Sequence, residues 1–93
     1  MNLADTAATR VTFLHTDLDL ATTFVNIAKT ELKLGDRERS HALIQKAWVA
    51  IETVRRLAAA PPPMARDEAN RIAIRCSELE SMIQSIGGAR QPS

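Results

Sequence analysis

The chain has 93 residues, of which 45% are hydrophobic and 25% charged, with a formal net charge of +1. That size suits one domain with a modest core, and the balance is that of a folded globular chain rather than a disordered one. So small a net charge supplies no strong global attraction to phosphate or to a membrane surface, and 3% aromatic residues leave few rings on which unpaired bases could stack.

No apolar run approaches the ~20 residues that span a bilayer. The N-terminus lacks a basic segment followed by an apolar core, so no signal peptide is expected. The one cysteine, Cys76, rules out an internal disulfide. A cytoplasmic location is the default expectation.

In residues 1–16, Leu3, Ala7, Val11 and Leu14 share one helical face, and Asp5 or Thr6 can cap a short helix. The run Val11, Thr12, Phe13, Leu14 equally suits an extended piece, because β-branched residues favour strands. The spacing favours a short N-terminal helix, separate from the next element or continuous with it.

A three-helix domain is expected over residues 17–88. The first helix, 17–34, carries two apolar rows. One is Leu20, Phe24, Ile27 and Leu34; the other is Leu18, Ala21, Val25, Ala28 and Leu32. Steps of three and four are helical spacing, and the combined stripe is wide enough to meet more than one neighbour. Thr16 with Asp19 fits a capping box at the start. Gly35 stops the helix, because glycine accepts the left-handed backbone of a C-cap.

Asp36 is a natural N-cap for a second helix over 37–59, where Leu43, Ile44, Ala47, Trp48, Ile51 and Val54 recur at helical spacing. So short a break makes the two helices antiparallel neighbours. Pro61, Pro62 and Pro63 forbid continuation and form a stiff linker that sets the angle to the next helix. A third helix over 66–86 has the most regular stripe: Ala69, Ile72, Cys76, Leu79, Ile83 and Ile86. Asp67 can cap it, and Gly87 and Gly88 end it. Arg71, Arg75, Glu78 and Glu80 lie off the stripe, on what reads as a solvated face. Residues 89–93 form a loose tail. The expected fold is all-α: an antiparallel helical hairpin completed by a third helix.

The hairpin from Ala21 to about Trp48 resembles one tetratricopeptide repeat, the helix-turn-helix unit of about 34 residues. With Gly35 in the inter-helix turn, Phe24 takes the first large aromatic position, and Ile27 with Ala28 takes the Leu-Gly pair. Ser40 takes the small position that opens the second helix, Ile44 the large apolar one and Ala47 the second alanine. Two positions depart from the pattern: Glu31 stands where an aromatic is usual, and Glu52 where the repeat ends in proline. One such unit cannot bury its apolar face alone, and the third helix would cover it as a capping helix does. In such repeats the first helix lines the binding face. The resemblance therefore implies a partner surface of Thr22, Val25, Lys29 and Lys33 with Asn26 beside them, suited to an acidic peptide or a C-terminal carboxylate.

Catalytic and metal-binding patterns are weak. His15 and His41 are the only histidines, and they form no His-x-x-x-His pair. His15, Asp17 and Asp19 cluster, but without the glycine and distal glutamate of a calcium loop. Cys76 sits on the apolar stripe, where it acts as a small hydrophobe. Gly87–Gly88 is a helix stop rather than a phosphate loop. No cofactor is expected, and the leading expectation is a non-catalytic protein-interaction or scaffolding module.

Its partner would be another protein or a second copy, since two apolar rows on one helix of a small bundle leave a patch for an interface. The alternative is nucleic-acid binding through Arg37, Arg39, Arg55, Arg56, Arg66, Arg71 and Arg75, with Glu38, Glu52, Asp67 and Glu68 interspersed among them.

Overall fold

The computed structural model describes residues 3–88, with side chains from residue 8 onward. It holds three helices: α1 (Leu3–Lys33), α2 (Arg37–Ala59) and α3 (Arg66–Ser85). The described residues include no strand. α1 and α2 form the hairpin and make the main contact of the bundle, and α3 packs on one side of the pair.

The core follows from three stripes. On α1, Leu14, Leu18, Ala21, Val25 and Ala28 step by four, three, four and three, and all five are fully buried. α2 contributes Ile44, Ala47, Trp48, Ile51 and Val54; α3 contributes Ile72, Cys76, Leu79 and Ile83. Small residues on both sides of the hairpin, Ala21 and Ala28 on one and Ala47 on the other, let the two axes approach. Each fully buried Leu, Ile or Val stabilises the bundle by about 1.5–3 kcal/mol before entropy is counted. Trp48 is the largest core side chain, with its indole Nε1 buried and without an acceptor among the described residues.

Local chemistry sets the turn. Gly35 has φ +88°, a conformation that a Cβ disfavours. Its N–H donates to Leu32 O (3.1 Å), and the Asp36 N–H donates to Glu31 O (2.9 Å). That bond pair is a Schellman motif, which satisfies the last carbonyls of α1. Asp36 then caps α2, its Oδ1 accepting from the Arg39 N–H at 3.0 Å. The same motif ends α3: Gly87 N–H to Gln84 O and Gly88 N–H to Ile83 O, each 3.0 Å.

The expected boundaries need two corrections. The first helix does not begin at Asp17, because α1 is continuous from Leu3 and absorbs the separate N-terminal segment. No glycine or proline interrupts this stretch, and the buried row extends back to Leu14. A capping box acts only where the first N–H groups lack partners, and at Thr16 a helical turn already precedes them. Asp19 instead reaches α3, as described below. Asp67 does not cap α3 either: the cap residue is Ala65, with no side-chain bond to the helix. The expected caps at Asp5 and Thr6 and the tail 89–93 lie outside the described side chains.

Arg10 fastens the proline linker to α1. Its Nη1 donates to Ala60 O (2.8 Å) and its Nη2 to Pro62 O (2.6 Å). These bonds satisfy carbonyls that the linker, with no ladder of its own, would otherwise leave to water.

Candidate protein-docking groove

Shifting the buried row of α1 by one residue gives a second row with the same rhythm: Phe13, Asp17, Leu20, Phe24 and Ile27. Like the first, it steps by four, three, four and three, which is a heptad seam. One residue is about 100° of rotation on a helix, so the second seam faces away from the α3 side. It is not covered. Phe13 is 53% exposed and Leu20 48%, while Phe24 is half-buried.

α2 supplies the other wall of this groove through Lys46, Val49, Ala50 and Thr53. Val49 is 62% exposed at its centre. The groove has a volume of about 730 Å³ and is open along its length. Its floor is apolar and its charges are two. Lys46 Nζ lies 5.9 Å above the Phe24 ring, a cation–π contact. The Asp17 carboxylate stands two helical turns away from Phe24 along α1. Contiguous exposed apolar surface of this kind marks interaction sites in soluble proteins.

The partner surface implied by the tetratricopeptide resemblance lies elsewhere on α1. Val25 is fully buried in the core and cannot touch a partner. Thr22 is half-buried, and its Oγ1 donates to Leu18 O at 2.9 Å. Asn26 and Lys33 are exposed, and Lys29 is half-buried. These positions share a helix face with His15 and Asp19, which meet α3. The resemblance-based residues thus sit beside the third helix, and the open apolar surface is on the other flank. The spacing of Phe13, Asp17, Leu20, Phe24 and Ile27 carried the signal for the groove. A helix start placed at Asp17 cut Phe13 away from it.

Most of the arginines suggested for nucleic-acid binding are engaged within the chain. Arg39 pairs with Glu31, Arg55 with Glu80, Arg71 with Glu68 and Arg75 with Asp19. Such pairing spreads mixed charge over the surface and leaves Arg37, Arg56 and Arg66 without an ion pair among the described residues. Three of the four join different helices, and two of these, Arg55 with Glu80 and Arg75 with Asp19, involve α3, so the off-stripe charges of α3 are bundle contacts rather than a purely solvated face.

One polar cluster joins α1 to α3. His15 Nδ1 lies 3.0 Å from Arg75 Nη1, and His15 Nε2 lies 3.3 Å from Glu68 Oε2. Arginine only donates, so Nδ1 accepts and the ring proton sits on Nε2, where it donates to Glu68. The Arg71 hydrogen bond, followed by that of His15, holds the Glu68 carboxyl below its ordinary value. Burial pushes the Cys76 thiol up, so it stays protonated at neutral pH.

Among the described residues no group of three His, Cys, Asp or Glu side chains could hold a metal ion. No helix among the described residues is long and apolar enough to cross a membrane. No protein-family model matches this chain, and no curated protein or solved structure matches it at a significant level.

Proposed function

We propose that this protein is a non-catalytic interaction module that docks an apolar helix of a protein partner in the groove between α1 and α2. The observation that carries the proposal is the uncovered heptad seam on α1 beside exposed Val49. A helix laid between two antiparallel helices buries its own stripe and completes a four-helix layer, the helix-in-groove mode of recognition. The tetratricopeptide-like hairpin supports the same class of function, since such units also present their first helix to partners. In this chain the presented face is the groove flank, with Leu20 and Phe24 in place of the Lys29 and Lys33 flank.

Site-specific photo-crosslinking tests the proposal. A benzophenone side chain at Val49 in the groove, or at exposed Ile74 on α3, is activated in cells that make the protein. A discrete protein adduct from position 49 and none from position 74 is expected. Equal labelling from both positions, or none from position 49, sinks the groove as a docking site.

A further inference from the structure

The groove is nearly symmetric about Leu20, to within one residue. Phe13 lies seven residues before Leu20 and Ile27 seven after; Asp17 lies three before and Phe24 four after. Both ends of the seam are exposed apolar residues, Phe13 and Ile27. Of the inner pair, one position carries an acid and the other carries a base, because Lys46 of α2 leans over the Phe24 ring.

That contact also sets the register of the hairpin. With Phe24 level with Lys46, the antiparallel chain places Leu20 level with Ala50, beside Val49. Asp17 falls level with Thr53. Asp17 and Lys46 are therefore about 10 Å apart along the groove, at 1.5 Å per residue, on opposite sides of its centre.

Resting on the docking reading above, we propose that the occupant of the groove is a second copy of this chain, related by a two-fold axis. The axis lies in the interface, perpendicular to the helices, at the level of Leu20 and Val49. It sets α1 antiparallel to α1 of the second copy. Leu20 then meets Leu20, and Phe13 meets Ile27 of the other chain. The Asp17 carboxylate of one copy arrives above the Phe24 ring of the other, where the Lys46 ammonium already lies.

Both charges are matched twice, as an isologous interface requires. Asp17 has no cation partner among the described residues of its own chain. Placing a half-buried carboxylate in an apolar seam costs stability in a monomer and sets register in a dimer, the use that polar seam residues have in coiled coils.

The test is the mass of the full-length chain in solution by sedimentation equilibrium across a wide concentration range. Twice the 10.2 kDa chain mass is expected at high concentration. Leu20→Glu should give a monomer with unchanged helical circular dichroism, while Ile74→Glu on α3 should leave the dimer intact. Asp17→Lys and Lys46→Asp should each weaken the dimer about tenfold, and the double exchange should restore it.

A strictly monomeric wild-type chain overturns self-docking. The Val49 cross-link to a different protein then decides the docking reading separately. A dimer insensitive to Leu20→Glu overturns the proposed face, and single charge exchanges without effect overturn the two-fold register.

Discussion

Arg75 of α3 reaches across the bundle to Asp19 of α1, with Nη2 2.6 Å from Oδ1, while its Nη1 donates to the backbone and ring of His15 one turn earlier. One guanidinium thus ties the height of α3 to that of α1. Arginine suits the position because its planar fork serves several acceptors at once.

Replacing Arg75 with alanine should destabilise the bundle by about 1–2 kcal/mol, since it strips His15 as well as Asp19 of a donor. Asp19 is 71% exposed at its side chain, and a double-mutant cycle of Arg75→Ala with Asp19→Ala should give a coupling of only about 0.5 kcal/mol. Urea unfolding followed by the fluorescence of Trp48, the single tryptophan, measures both. A coupling near zero would mean that the His15 contacts carry the whole effect.

Leu18 and Leu20 are two residues apart and differ in every energetic respect. Leu18 is fully buried, and Leu18→Ala should cost about 2–5 kcal/mol through lost burial and the cavity left behind. Leu20 is half exposed, and Leu20→Ala should change the stability of the isolated chain by less than about 0.5 kcal/mol. Urea midpoints taken at a concentration where the chain is monomeric separate the two. A large loss at Leu20 would place it in the core and contradict the groove.

Gly35 and Gly88 are needed for different reasons. Gly35 has φ +88° with open space around it, so Gly35→Ala should cost about 1 kcal/mol from backbone strain alone. At Gly88 a Cβ would come within 2.8 Å of Ile83 Cγ2 and 3.0 Å of Ile44 Cγ2. Gly88→Ala should cost about 1–3 kcal/mol by overpacking. Thermal unfolding of each variant in an Ile44→Ala background tells them apart. The penalty at Gly88 should shrink there, and the penalty at Gly35 should not.

The Glu68 carboxyl is held below its ordinary value by Arg71 and then by His15. A depressed carboxyl contributes stability that is fully present above the unfolded-state value and is lost as pH falls through the folded one. The wild-type chain should therefore lose stability on acidification below about pH 4.3, the ordinary glutamate value. In the same window Glu68→Gln should flatten the dependence of unfolding free energy on pH. Identical slopes in the two proteins would show that the cluster makes no linked contribution.

Cys76 has no accessible surface, and its thiol is pushed up by burial. A thiol reagent should react with it only at the rate of bundle opening, and at the free-thiol rate in denaturant. Rapid labelling of the folded chain would show that α3 lifts readily from the hairpin.

The three-helix fold was legible in the sequence because its marks are local. Gly35 with Asp36 defines the turn through two backbone bonds and one cap, and the prolines after Ala60 end α2 by sterics alone. The 4-3-4 spacing of Ile72, Cys76, Leu79 and Ile83 identifies a buried stripe without reference to any neighbour. What sequence reasoning could not assign is which of two equivalent seams on α1 faces inward. Leu14, Leu18, Ala21 and Val25 have the same period as Phe13, Asp17, Leu20 and Phe24, and periodicity carries no direction. The docking of α3 decides it. Once α3 covers the side holding His15 and Asp19, Val25 becomes core and Leu20 with Val49 becomes surface. The same docking turns Asp19 from an apparent cap into the acceptor of Arg75, a contact between residues 56 positions apart that no local pattern encodes.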